Sequence, residues 1–275
     1  MIRDSLGDRM KGYEAASATT LPGRMPIILR LDGKAFHSYT RDLPRPWCPA
    51  LIDVMNATAM ALCKQIQGAQ LAYVQSDEIS ILVIGYQTHT SQTWFERNLQ
   101  KMVSVSAGIA SATFTAASGA LRGGTIKPAV FDSRVFVIPE NDVCNCFIWR
   151  QQDATRNSQQ MLARSLYLNA DLFKKNTSQL QEMCFQKGRN WNDEPTSFRR
   201  GRCIVKKTYE LEVEGVVTTR HRWEVDNEIP IFSQNRDYIN RFIPTREVAE
   251  VGGSFAQPRS GETRDDLQAQ TPGDS

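Results

Sequence analysis

The 275-residue chain carries 33 basic and 30 acidic residues for a net charge of +3, and is 41% hydrophobic and 23% charged, the composition of an ordinary soluble globular protein. So small a net charge argues neither for nor against nucleic acid, and any basic footprint must be local. There is no run of roughly 18 apolar residues, no apolar signal core in MIRDSLGDRMKGYE and no Cys-x-x-Cys pair, so a cytoplasmic protein with free thiols and no membrane partner is expected.

In chain order, the first strand is Pro26 to Leu31, running into Asp32-Gly33. Residues 49–66 place Leu51, Val54, Met55, Thr58, Ala59 and Leu62 at helical spacing, and Gly68 follows the helix. Leu71–Val74 and Ile79–Val83 read as a hairpin whose turn holds Gln75, Ser76, Asp77 and Glu78. Residues 94–117, rich in Ala and Ser and free of Pro, read as one long helix, broken by Gly119, Gly123 and Gly124. A strand follows at 130–139.

That order, strand, helix, hairpin, helix, strand, predicts an α+β fold: a ferredoxin-like β-α-β-β-α-β sheet with helices on one face. Beyond it the pattern turns helical, strongest at 149–167. A basic loop at 187–202 comes next, and then a hairpin at 203–213 and 216–225 turning near Gly215. The expected organisation is a sheet-and-helix domain at 1–139, a helical and hairpin extension at 140–245, and a disordered tail at 246–275, which lacks apolar periodicity.

In such a sheet Asp32, ending the first strand, and Asp77, at the hairpin turn, can meet at one edge. Taken singly, Asp-Gly and Ser-Asp-Glu are also common turn chemistry. Two carboxylates together would repel one another without a cation. With only His37, His89 and His221 in the chain, a His/Cys zinc site is not expected; oxygen ligands point to Mg²⁺, and two such ions suit phosphoryl transfer. Arg97 and Lys101 stand at i and i+4 on the long helix, which would put both on one face, toward a triphosphate or simply toward solvent.

The blocks LRLDGKAFH at 29–37, AYVQSDEIS at 72–80, FDSR at 131–134 and WRQQD at 149–153 occur in the order of the tRNA(His) guanylyltransferase family. The chain resembles that family over roughly residues 5–210, through FRRG at 198–201. The resemblance implies a polymerase palm-like sheet and 3′–5′ addition of nucleotides to the 5′ end of tRNA. In that chemistry ATP adenylylates a 5′-monophosphate, and the 3′-hydroxyl of GTP or another NTP then attacks it. By position, Asp32, Asp77 and the Gly33 carbonyl would bind two Mg²⁺ ions, with Glu78 in a supporting catalytic role. Lys34, Ala35, Phe36, His37 and Ser76 would contact the nucleotide, and Arg97 and Lys101 its triphosphate. A homotetramer is implied as well.

Two departures bear on substrate. Where eukaryotic members carry His-Ile-Asn-Asn-Leu-Tyr-Asn, this chain has Thr155 to Met161, matching only at Asn157, and Arg45-Pro46-Trp47-Cys48 replaces a Lys-Pro stretch followed by small polar or acidic residues. Both resemble the bacterial and archaeal guanylyltransferase-like proteins and favour template-dependent repair of 5′-truncated tRNA over addition of G−1 to tRNA(His). Arg150, Arg156, Asn157, Lys187, Arg189, Arg199 and Arg200 are the expected RNA contacts, joined by Arg164, Arg202 and the interleaved Trp191 and Phe198. Two rivals are a nucleotide cyclase, which needs no RNA surface, and a non-catalytic RNA-binding module, which needs no paired carboxylates.

Overall fold

A computed structural model of the chain describes residues 5–88, 91–213 and 216–244. The expected turn at Gly215 and the tail at 246–275 lie outside the described residues. The chain opens with a helix absent from the sequence reading, α1 (Leu6–Ala16), capped by the Ser5 hydroxyl, which accepts from the Asp8 N–H. Strand β1 (Ile27–Gly33) is followed by the single turn α2 (Phe36–Tyr39) and by α3 (Pro49–Gln65). Proline suits the first position of α3, where its missing N–H costs no helical bond. β2 (Ala69–Gln75) and β3 (Glu78–Val83) form the predicted hairpin.

The long helix starts later than its composition suggests. Phe95, Glu96 and Arg97 adopt left-handed backbone (φ 49°, 52° and 66°), and α4 (Leu99–Ala117) begins only where the Asn98 side chain caps the Lys101 N–H. Arg97 therefore lies outside the helix, and the expected shared face with Lys101 does not exist. β4 (Phe131–Val137), α5 (Glu140–Leu166), α6 (Thr177–Gln186) and the short α7 (Thr196–Arg200) follow. The described chain closes with β5 (Arg202–Val213), β6 (Val216–Asp226) and α8 (Asp237–Asn240).

The sheet has the order β4-β1-β3-β2-β5-β6. Its first four strands, all antiparallel to their neighbours, have the expected ferredoxin-like arrangement, and the C-terminal hairpin extends it by pairing β5 on β2. Because side chains alternate across a strand, the sheet buries two apolar faces. Leu29, Leu31, Ile79 and Ile81 pack with Met55 and Leu62 of α3 and Met102 and Phe114 of α4. On the other side Ile28, Leu82 and Tyr73 pack with Val143 and Phe147 of α5 and with Ile229, Phe232 and Ile239. The two helices of the β-α-β-β-α-β unit share one face, as expected; the opposite face is covered as well, by the C-terminal extension.

Candidate active site

Register builds the site. Asp32 of β1 stands opposite Glu78 of β3 on one side and Asp132 of β4 on the other. Directly opposed residues project to the same face of a sheet. The apolar neighbours Leu31 and Ile79 turn toward α3 and α4, so this acidic row faces α5. Asp77 sits at the adjoining turn, where its carbonyl accepts from the Gly33 N–H at 3.2 Å and ties the ends of β1 and β3 together. Asp32 and Asp77, far apart in sequence, are thus brought to one place.

Like charges this close raise one another's pKa. Burial, then repulsion from Asp32, pushes the Asp77 carboxyl up to about 6. Burial, then Glu78 and Asp132, raises Asp32. Arg150 of α5 clasps Glu78 with two hydrogen bonds, both 2.7 Å, and donates to Asp153 at 2.9 Å. One row deeper, Arg30 and Arg134 stand opposite each other, with Arg30 over the Trp149 ring at 5.4 Å. The result is an open cavity of about 490 Å³ with Asp32, Asp77, Glu78, His37, Arg45 and Arg150 in its walls. A smaller apolar hollow of about 100 Å³ adjoins it, sharing Gln75 and Ser76 and walled by Trp47 and Phe198, whose rings stack at 5.1 Å.

The turn after Asp32 is set by packing. Gly33 is required because an added Cβ would meet the Phe36 ring at 2.2 Å. Phe36 is itself a core residue, stacked with Tyr39 and packed on Phe114 and Phe131, so its side chain is committed to packing. Lys34 donates its N–H to Val130 O at 2.8 Å, and Ala35 is left-handed. His37 is exposed, with the Ser38 hydroxyl 2.9 Å from its Nε2. Gly33→Ala should destabilise the fold by about 1–3 kcal/mol through overpacking, measured by urea denaturation; an unchanged midpoint would remove this role for Gly33.

Other expected site residues separate. Arg97 packs against Gly23, and its carbonyl accepts from the Leu21 N–H. The Phe131 N–H donates to the Ser111 hydroxyl, which fixes α4 relative to the acidic row; Lys101 precedes Ser111 by about 15 Å of helix, on the opposite face of the sheet. Neither residue reaches this cavity within one chain. Arg150 is buried (7% exposed) and committed to carboxylates, so it is not a surface contact for RNA. Arg202 is fully enclosed and bonded to Asn56.

Arg156, Arg199 and Arg200 do come together, with Trp191, around a second cleft of about 490 Å³. Asn157 lines the acidic cavity. Arg189 is paired with Glu194, and Lys187 lies over the Tyr167 ring. Sequence reading missed Asp132, Arg30, Arg134 and Asp153 as members of the site. All four lie within the quoted blocks, but only the register of β4 on β1 and the course of α5 place them beside Asp32 and Glu78.

A family model described as tRNAHis guanylyltransferase matches residues 7–139. Among solved structures, a bacterial tRNA(His) guanylyltransferase-like protein in complex with ATP is 43% identical with a TM-score of 0.80, covering 87% of this chain and 99% of that one. A bacterial tRNA(His) guanylyltransferase-like protein in complex with GTP is 42% identical with a TM-score of 0.72, over the same shares. A probable tRNA(His) guanylyltransferase of Drosophila melanogaster is 28% identical over 238 residues, 79% of this chain and 80% of its own length. Among the described residues, no helix is long and apolar enough to cross a membrane.

Proposed function

Because the chain belongs to the tRNA(His) guanylyltransferase family, a family of nucleotidyltransferases, we propose that it adds nucleotides to the 5′ end of tRNA in the 3′–5′ direction. ATP activates the 5′-monophosphate, and GTP or another NTP is the unit added. The observation that carries this reading is the acidic row: Asp32 and Asp77, mutually repelling, open on a cavity large enough for a nucleotide.

The donor set suits Mg²⁺, whose preference is for hard oxygens and which retains water and substrate phosphate as ligands. Asp32, Asp77 and the Gly33 carbonyl would hold two such ions. Among the described residues no three His, Cys, Asp or Glu side chains gather into a metal site by themselves, so backbone, water and nucleotide would complete the coordination. When bound, the ions would acidify an attacking hydroxyl and offset phosphate charge.

The chain's own residues orient the reaction. Arg150 holds Glu78 fixed beside Asp32. Arg30 and Arg134 place positive charge one row from the acids, where a triphosphate can use it and where Arg97 and Lys101 of the same chain cannot reach. His37 and Arg45, in the cavity wall, contact the nucleotide. The 3′-hydroxyl of the incoming NTP then attacks the activated 5′ phosphorus, forming the new phosphodiester and expelling AMP. Two intact carboxylates in a walled cavity favour this over a non-catalytic RNA-binding module, and the arginine cleft at Trp191 favours an RNA substrate over a cyclase reaction. The homotetramer is part of the proposal.

Thr155 to Met161, with Arg45-Pro46-Trp47-Cys48, supports repair of truncated tRNA as the physiological task. Offered 5′-monophosphorylated tRNA, intact or lacking its first nucleotide, with Mg²⁺, ATP and each labelled NTP, the protein should add the nucleotide that pairs with the opposite strand, and prefer the truncated tRNA. Addition of G to intact tRNA(His) alone would instead assign it the tRNA(His) reaction.

A further inference from the structure

The acidic cavity does not end at Asp77. Gln160 and Arg164, one turn apart on α5, stand in its wall and also in the wall of a neighbouring open cleft of about 520 Å³. That cleft is formed by α5, the start of α6 and the connection between them. Its lining contains Arg164, Lys174 and Lys175 with Asn169, no carboxylate, and Leu172 and Leu180 at its apolar side. The nearest acid in the sequence, Asp171, is exposed. Phe173 leaves 71% of its surface in water, with the Lys174 ammonium 5.4 Å from its ring. Lys174 is held in left-handed backbone, φ 59°, a conformation that costs free energy for a residue with a side chain.

A bare aromatic ring among cations, with no acid in the lining, is the chemistry of a stacking platform for unpaired bases, with ammonium groups for the phosphates between them. Resting on the proposed reaction, we infer that this cleft binds the unpaired 3′ tail of the tRNA. A 5′ phosphate placed at Asp32 and Asp77 brings the opposite strand to within a duplex width, and that strand continues as a single-stranded end that cannot enter the acidic cavity without repulsion. Arg164, common to both walls, stands at the junction where the strands part. Phe173 takes a base of the tail, while Lys174 and Lys175 take its backbone.

The test is a cycle of two changes, Phe173→Ala with Lys174→Ala and Lys175→Ala in the protein, and removal of the 3′ tail from a 5′-truncated tRNA. The unmodified protein should lose roughly tenfold in kcat/KM when the tail is removed. The variant should show a similar loss on tailed tRNA and little further loss on the tailless one, the coupling expected of groups that touch. If both losses multiply independently, the proposal is overturned. It also fails if the variant changes the sedimenting mass and leaves tail dependence intact, since the cleft is then a subunit contact. The same cycle read by fluorescence anisotropy of labelled tRNA, without nucleotides, separates this inference from the reaction itself. Coupling in binding with no nucleotide addition would sink the reaction and keep the tail site.

Discussion

Asp77→Asn should abolish the proposed 5′ addition and, without divalent cation, make the protein more stable. The two effects have one cause. A carboxyl whose pKa is raised from 3.8 to about 6 is held ionised at neutral pH at a cost of about 2–3 kcal/mol relative to the unfolded chain. The sign follows from proton counting. Between pH 3.8 and about 6 the folded protein binds the Asp77 proton more tightly than the unfolded chain does, so this destabilisation grows as pH rises through that window and is complete above it. Asparagine removes the charge. The variant's thermal midpoint should therefore lie a few degrees above that of the unmodified protein at pH 7, and the gap should shrink toward pH 4.

Adding Mg²⁺ should raise the midpoint of the unmodified protein, since a ligand of the folded state stabilises it, and should do little for the variant. Scanning calorimetry at pH 4 and 7, with and without Mg²⁺, reads all of this without an activity assay. A variant less stable than the parent at pH 7 would show that Asp77 is a structural turn residue rather than a strained site carboxylate.

Arg150→Leu should cost more stability than any other substitution in the site, about 3–5 kcal/mol, because it leaves Glu78 and Asp153 with no buried cation between them. A well-packed hydrophobic pair can replace a buried ion pair at little cost, so adding Glu78→Leu should recover much of that stability. It should not recover activity, since Glu78 belongs to the acidic row. Arg150→Lys cannot reproduce two parallel hydrogen bonds to one carboxylate and should fall between. Urea denaturation checks the stabilities. Equal stability of the single and double variants would mean that Arg150 is held by α5 and not by Glu78.

Much of this arrangement was legible in the sequence because it depends on local pattern. The β-branched runs at 26–31, 71–74 and 79–83 and the period of 49–66 give the strands and the first packed helix, and their order gives the sheet. What failed was backbone conformation with no compositional mark. Nothing in Phe95-Glu96-Arg97 announces left-handed φ, so Arg97 was read as a helical neighbour of Lys101. α1 escaped notice because none of its residues is buried, so no core period marks it.

The site divides in the same way. Asp32 and Asp77 could be paired from the order of the strands, whereas Asp132 could not, because its partnership depends on β4 lying beside β1 in a particular register. Arg150 was read as an RNA contact because an arginine in the sequence carries no sign of burial. Its carboxylate partners, Glu78 and Asp153, belong to two different quoted blocks that only the packing of α5 on the sheet brings together.

The 3′–5′ direction of synthesis is tested most directly by end-group analysis. A 5′-monophosphorylated tRNA lacking its first nucleotide is incubated with Mg²⁺, ATP and α-labelled GTP, and the product is cleaved to locate the label. The product should be one nucleotide longer, with the label 5′ to the nucleotide that was terminal in the truncated tRNA, and absent with Asp77→Asn. Label at the 3′ end, or no incorporation by a protein that still binds the tRNA, would contradict it.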